Sequence, residues 1–138
     1  MNSFRILDHP ADVGFEAYGS TLAEAFESSA LALISLVVES ETVEEHDEKA
    51  IIVNASDREQ LLVKFLSEIL YLFDGEGFVV KRAQIVQMDD RSLTANLRGE
   101  RFDPNKHNIK LDVKAITYHQ LTIEQRDSGF LLRVYVDV

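Results

Sequence analysis

The sequence predicts an α+β fold in which two amphipathic helices pack on a mostly antiparallel β-sheet. Two stretches carry apolar residues at helical spacing, and alternating strand patterns occupy most of the remaining chain. The second half also reads as two long hairpins separated by turn residues. At 138 residues the chain has the size of one domain with a continuous core, so we assign residues 1–138 to a single domain.

The chain begins with strand patterns at residues 4–7 and 13–19, which the segment DHPAD (residues 8–12) joins. A helix is predicted over residues 21–38, because the capping-box pattern TLAE precedes apolar residues that recur every three or four positions. The first half of the chain therefore contributes two strands before its first helix.

The acidic stretch at residues 39–48 is predicted to be a solvated linker or an edge strand, as charge runs commonly are. A short strand at residues 51–53 follows it. A second amphipathic helix then begins after the N-cap residue Asp57 and ends at Asp74 and Gly75, because glycine commonly terminates helices. Its regular apolar pattern indicates core architecture.

Strand patterns dominate the rest of the chain. Residues 78–88 and 93–98 form the first predicted hairpin, and a polar loop covers residues 100–107. The second hairpin joins a strand at residues 113–125 to a last strand at residues 130–138, through a turn that contains glycine. Both hairpins favour antiparallel pairing.

The composition excludes several functional classes. The chain has no cysteine, so disulfides, thiolate metal sites and cysteine nucleophiles are impossible. A net charge of −10 argues against direct binding of nucleic acid, which needs lysine and arginine clusters. No apolar run approaches the roughly 18 to 20 residues of a membrane span, and no signal peptide is visible. We therefore expect no membrane association and a cytoplasmic location.

The end of the chain carries the first candidate metal site. Asp137 lies beside Val138, whose α-carboxylate adds a second negative charge. Repulsion between these groups is relieved by a hard divalent cation such as Ca²⁺ or Mg²⁺, which prefers oxygen ligands. Asp12 supplies a further ligand if its segment neighbours the last strand in the sheet. The alternatives are a turn-forming Asp12 and a merely solvated Asp137.

Other candidate residues point to no specific chemistry. Asp8 and His9 suit a turn or an acid–base pair, but no serine or cysteine nucleophile accompanies them in a recognisable motif. His107 and His119 lack the second histidine, three or four positions away, that a zinc pair would show. No glycine-rich phosphate loop is present, so nucleotide binding by this chain alone is not expected.

Five short motifs occur in order along essentially the whole chain. They are DHPADVG at residues 8–14, AYG at 17–19, GERFD with KH between 99 and 107, KAITYH at 114–119 and VDV at 136–138. Each motif is weak alone, but the ordered set is specific and resembles the archease family.

The resemblance implies a non-catalytic protein cofactor of an RtcB-type RNA ligase, which joins RNA ends in tRNA splicing and RNA repair. It implies promotion of guanylylation and multiple turnover of the ligase, and a wider choice of nucleotide. It also implies metal binding, usually of calcium, by Asp12, Asp137 and an oxygen of Val138. Pro10 departs from the family pattern, which commonly has threonine there, and proline stiffens the loop by fixing φ.

The acidic character of the chain suits such a partner, because an aspartate-lined surface is complementary to a basic cleft that accepts RNA or nucleotide phosphates. Two other functions stay open. A metal-dependent hydrolase using the same aspartates would turn over substrate alone, although no second carboxylate cluster for a two-metal site is visible. A general folding chaperone would suppress the aggregation of unrelated proteins.

Overall fold

The computed structural model describes residues 3–9 and 12–138, with only the backbone at residues 8 and 9. These residues form eight strands and two helices, with a 3-10 turn, Ser40–Thr42, after the first helix. In chain order the elements are β1 (Ser3–His9), β2 (Asp12–Gly19), α1 (Leu22–Val37), β3 (Asp47–Asn54), α2 (Arg58–Glu76), β4 (Phe78–Met88), β5 (Ser92–Arg101), β6 (Ala115–Ile116), β7 (Thr122–Arg126) and β8 (Gly129–Asp137).

The larger sheet has five strands, with β8 near its centre. β1 pairs with β2, β2 pairs with β8, and both β6 and β7 pair with the other edge of β8. The pairing of β2 with β8 runs from Val13 opposite Val136 to Gly19 opposite Phe130. The last residues of β8 are therefore flanked by the beginning of β2 on one side and by β6 on the other.

A second sheet contains three strands in the order β3-β5-β4. Every pairing among the described strands is antiparallel, which confirms the predicted α+β class with antiparallel strands. The division into two sheets is not evident from the sequence. Helix α1 contacts both β2 and β4, so it packs across the two sheets and links them.

The position of the first helix in the structure confirms the prediction. The Thr21 hydroxyl accepts the backbone N–H of Glu24 at 3.1 Å, and the Glu24 carboxylate accepts the N–H of Ser20 at 2.9 Å. This reciprocal capping box satisfies donors that have no partner inside the helix. Local capping therefore sets the start of α1 within one residue of the prediction.

The second helix begins as predicted but ends later. The Asp57 carboxylate accepts the N–H of Gln60 at 2.8 Å, which caps the first turn. The predicted end at Asp74 and Gly75 is wrong, because Gly77 (φ 66°) adopts the left-handed conformation that terminates the helix. Neither helix is long and apolar enough to cross a membrane.

One hydrophobic cluster contains residues from both helices and both sheets. The helices meet where Phe26 of α1 and Phe65 of α2 place their ring centroids 5.8 Å apart. Burial of each such side chain stabilises the fold by about 1.5–3 kcal/mol. The shared cluster makes the described residues one folding unit.

Two predicted boundaries are wrong because long-range contacts override the local pattern. The strand predicted at residues 113–125 is split into β6 and β7 by a turn. The loop predicted at residues 100–107 begins inside β5, and it contains two buried residues, Glu100 and His107. The acidic stretch at residues 39–48 agrees with its prediction, because it is mostly exposed and leads through the 3-10 turn into β3, an edge strand of the three-stranded sheet.

Candidate functional site

The two aspartates of the predicted metal site lie at the same end of the five-stranded sheet. Asp12 is the first residue of β2, and Asp137 is the last residue of β8. The pairing of these strands reaches Val13 opposite Val136, and one further step in the same register places Asp12 opposite Asp137. Strand pairing thus brings together two carboxylates from opposite ends of the sequence.

An open pocket of about 410 Å³ includes both aspartates. Its lining, called the acidic tip below, consists of Asp12, Thr117, His119, Tyr135, Val136 and Asp137. None of these residues is a lysine or an arginine. The Asp12 side chain is 38% exposed, and Asp137 is also exposed. The register therefore places two carboxylates on neighbouring strands, with no lysine or arginine among these lining residues.

A tight turn at residues 117–121 adds an imidazole to the acidic tip. The Thr117 hydroxyl donates to the carbonyl oxygen of Tyr135 at 2.9 Å and accepts the N–H of His119 at 3.2 Å. The ring centroids of His119 and Tyr135 are 5.7 Å apart, and His119 Nε2 lies 3.9 Å from Asp12 Oδ1. The sequence does not predict this neighbour, because its pattern indicates one continuous strand here.

The donor atoms at the acidic tip suit a hard divalent cation. Carboxylate oxygens, which Asp12 and Asp137 supply, are the ligands that Ca²⁺ prefers. The carbonyl oxygen of Asp137 accepts the N–H of Lys114 at 2.8 Å, and the exposed carboxylate of Asp137 offers further oxygen ligands. Val138 follows directly and is 53% exposed. Metal binding by Asp12, Asp137 and Val138 stays a prediction.

The segment before Asp12 is described only in part. The backbone of Asp8 pairs with Val13, and that of His9 pairs with Asp12. The predicted turn or acid–base pair at Asp8 and His9 depends on side chains that lie outside the described residues. The predicted effect of Pro10 also falls on a residue outside them.

A buried ionic cluster lies on the same sheet as the acidic tip. Its central residue, Glu16, lies four positions after Asp12 along β2. Glu16, which is 4% exposed, accepts hydrogen bonds from Arg133 at 2.6 and 2.9 Å, from Arg5 at 2.8 Å and from the Tyr18 hydroxyl at 2.9 Å. Burial raises the pKa of Glu16, but the hydrogen bonds from Arg133 and Tyr18 outweigh it and lower the pKa. The negative charge of Glu16 is therefore compensated by its hydrogen-bond donors, which link β1, β2 and β8.

A second acidic group, called the Glu100 cluster below, contains Glu44, His46, Glu100, Lys106 and His107. Glu100 is 8% exposed, and its carboxylate accepts the backbone N–H of Glu44 at 2.7 Å. Lys106 Nζ lies 2.9 Å from Glu100 Oε2, and the buried His107 Nε2 lies 3.0 Å from the same oxygen. The cluster attaches two loops to the end of β5.

The protonation of His107 follows from its two partners. The backbone N–H of Asp103 donates to His107 Nδ1 at 2.9 Å, so this nitrogen carries no proton. The ring proton therefore lies on Nε2 and is donated to Glu100. Burial raises the pKa of Glu100, but hydrogen bonds from Lys106, from the N–H of Glu44 and from His107 lower it to about 2.

The Glu100 cluster also contains metal-ligand types. Glu44, His46 and Glu100 each place one ligand atom within 4.8 Å of the others, and they form the one such group of three among the described residues. These residues are within reach of a single cation, although Lys106 already pairs with both glutamates. The sequence does not predict this group, because Glu44 and Glu100 are 56 positions apart.

Comparison with known proteins gives one consistent result. Residues 4–138 match the model of the Archease protein family (MTH1598/TM1083). The Protein archease of Pyrococcus furiosus is 44% identical over 132 residues, which cover 94% of this chain and 93% of that protein. That of Methanosarcina mazei is 35% identical over 139 residues, which cover 98% and 95%. The solution structure of protein 1598 of Methanobacterium thermoautotrophicum superposes with a TM-score of 0.80, at 32% identity and 98% coverage of both chains.

Proposed function

This chain belongs to the archease family, and from that premise we propose that it is a non-catalytic activator of an RtcB-type RNA ligase. In this proposal the chain promotes guanylylation and multiple turnover of the ligase and broadens its use of nucleotides. The RNA ligase supplies the chemistry, and this chain supplies an acidic docking surface. A cytoplasmic location, without direct binding of nucleic acid, is part of the same proposal.

The observation that carries the proposal is the pair of opposed carboxylates at the acidic tip. Asp12 and Asp137 end up on neighbouring strands with no lysine or arginine among the lining residues. Like charges placed opposite each other on neighbouring strands cost stability, and no lysine or arginine among the lining residues offsets that cost. Exposed carboxylates in this arrangement can bind a cation or a cationic surface.

We propose that Asp12, Asp137 and the main-chain oxygen of Val138 hold a divalent metal, with Ca²⁺ as the ion. When bound, the ion supplies a positive charge that neutralises the carboxylates and attracts phosphate oxygens. The chain's own residues position this charge: pairing between β2 and β8 sets the separation of the aspartates, and the turn at residues 117–121 borders them.

Charge distribution favours association with a basic partner. The chain has a net charge of −10, and long-range attraction between an acidic protein and a basic cleft accelerates encounter. The same attraction orients the acidic tip toward phosphate-binding surfaces. We therefore expect the association rate with the ligase to fall as ionic strength rises.

The test is a multiple-turnover ligation assay with purified RtcB-type ligase and substoichiometric amounts of this protein. We expect the wild-type chain to raise turnover, and Asp137→Asn or Asp12→Asn to lower that activation by about tenfold or more, as loss of groups that support a metal usually does. Asp127→Asn is the matched control, because it removes the same charge from the exposed turn before β8.

Each contrary outcome has a distinct meaning. Equal activation by wild type and Asp137→Asn would refute the role of the acidic tip. Activity of the isolated chain on phosphoesters with Mg²⁺ or Mn²⁺ would favour the hydrolase instead. Suppression of the aggregation of unrelated proteins, independent of Asp137, would favour a general chaperone.

A further inference from the structure

Exposed apolar residues belong to both segments that form the acidic tip. Tyr118, which is 55% exposed, lies between the lining residues Thr117 and His119. Val138, which is 53% exposed, directly follows Asp137. Folding therefore leaves apolar surface in water on the same segments as the carboxylates. Exposed aromatic residues of this kind are enriched at protein interfaces.

The Tyr118 side chain has no polar or aromatic partner among the described residues. Its ring takes part in none of their aromatic pairs, and its hydroxyl takes part in none of their hydrogen bonds. Tyr71 of α2 is 56% exposed as well, but its ring lies over Gly75, where a Cβ would come within 2.7 Å of a ring carbon. Another molecule can therefore cover the ring of Tyr118 without breaking a hydrogen bond or a ring contact in this part of the chain.

Charge selects the molecule that suits this ring. The acidic tip contains Asp12 and Asp137 with no lysine or arginine among its lining residues, and the chain has a net charge of −10. This charge repels nucleic acid. A second copy of the chain would bring an equally acidic surface to the contact. A basic protein surface fits, because arginine and lysine pair with carboxylates and also lie over the face of a tyrosine ring.

We propose that Tyr118 is the main contact residue through which the acidic tip holds a basic protein partner, with its ring stacked on an arginine or lysine of that partner. This inference rests on the proposed function, in which the partner is the RtcB-type RNA ligase. Charges at the edge of an interface chiefly change the rate of association, whereas a buried aromatic residue chiefly changes the rate of dissociation. Tyr118 therefore sets the lifetime of the complex.

The test measures association and dissociation rate constants for the purified ligase and this chain by surface plasmon resonance. We expect Tyr118→Ala to raise the dissociation rate constant by about tenfold or more and to change the association rate constant by less than about twofold. Tyr71→Ala is the matched control, because it removes an equally exposed tyrosine outside the lining of the acidic tip, and it should change neither constant.

Two further variants identify what the ring contributes. Tyr118→Phe keeps the aromatic face, so we expect its dissociation rate constant to stay within about threefold of wild type. Tyr118→Leu keeps an apolar side chain without that face and should dissociate faster than Tyr118→Phe. Equal dissociation of these two variants would refute stacking on a cation.

The ligation assay distinguishes a contact residue from a residue that takes part in activation itself. We expect Tyr118→Ala to raise the concentration of this chain that gives half-maximal activation by about tenfold, with the same maximum at saturation. A lower maximum with an unchanged half-maximal concentration would overturn the assignment of Tyr118 to binding.

The same measurements separate this inference from the proposed function. If Asp137→Asn loses activation while Tyr118→Ala binds the ligase like wild type, the role of Tyr118 is refuted and the proposed function stands. If the wild-type chain neither binds nor activates the ligase, both are refuted. Binding of single-stranded RNA by the chain alone that Tyr118→Ala abolishes would overturn the inference in favour of a nucleic-acid base. Self-association in sedimentation that Tyr118→Ala abolishes would overturn it in favour of a second copy.

Discussion

The acidic tip and the Glu100 cluster contain similar side chains and use them in opposite ways. Both bring together two carboxylates and at least one imidazole. In the Glu100 cluster, Lys106 pairs with Glu44 and Glu100, and His107 donates to Glu100. At the acidic tip, the lining residues include no lysine or arginine.

This difference distinguishes a structural cluster from the binding site that we propose. A buried carboxylate with several donors has its charge satisfied within the fold, so removing it leaves buried donors without a partner. Exposed carboxylates without a cation hold unsatisfied charge that a ligand can neutralise. The same residue types therefore predict lost stability in one region and lost binding in the other.

The largest expected effect is the loss of Glu100. We expect Glu100→Ala to lower the free energy of unfolding by about 3 kcal/mol, because the buried His107 and the N–H of Glu44 lose their acceptor. Urea unfolding followed by circular dichroism measures the change. Glu41→Ala, an exposed position in the nearby 3-10 turn, should have a far smaller effect. Equal losses in the two variants would show that the cluster contributes no more than the surface.

The pH dependence of stability sharpens the contrast. The pKa of Glu100 is lowered from its ordinary value of 4.5 to about 2 in the folded chain. A carboxyl with a lowered folded-state pKa stabilises the fold fully above its unfolded pKa, and this contribution is lost as pH falls from 4.5 through 2. Allowing for solvent around the partly exposed Lys106, we expect wild type to lose about 1 to 2 kcal/mol more than Glu100→Gln between pH 7 and pH 3.

Urea unfolding of the two proteins at a series of pH values gives this difference directly. Glu16 lies outside the Glu100 cluster, so its contribution to the pH dependence is the same in both proteins and cancels. Parallel curves for wild type and Glu100→Gln would contradict the lowered pKa.

The fold could be predicted from the sequence where local interactions decide the structure. Both helix starts follow from side-chain caps at Thr21 and Asp57, which act within three residues. The end of α2 could not be predicted, because Gly75 and Gly77 are both glycines and only Gly77 takes positive φ. Which glycine terminates the helix depends on how the following strand β4 joins its sheet.

The candidate sites depend on pairing between distant segments. Asp12 and Asp137 could be nominated from their residue type and position, but only the register of β2 and β8 places them opposite each other. Glu100 and Glu44 meet through a contact between residues 56 positions apart, with no local signal. The position of His119 at the acidic tip could not be predicted for a further reason, since Tyr118 and His119 continue a pattern that indicates a strand.

The smallest expected effect concerns the metal-free acidic tip and has the opposite sign. Like charges placed directly opposite on neighbouring strands destabilise a sheet by up to about 1 kcal/mol. We therefore expect Asp137→Asn to raise the free energy of unfolding by a few tenths to about 1 kcal/mol in a chelator, because it removes one of the two charges. In saturating Ca²⁺ the order reverses, since wild type gains binding energy that the variant has lost. Urea unfolding in both conditions measures this reversal, with Asp127→Asn as the control that shows none. A loss of stability for Asp137→Asn in the chelator would place the Asp137 carboxylate among the compensated groups and remove the distinction between the two regions.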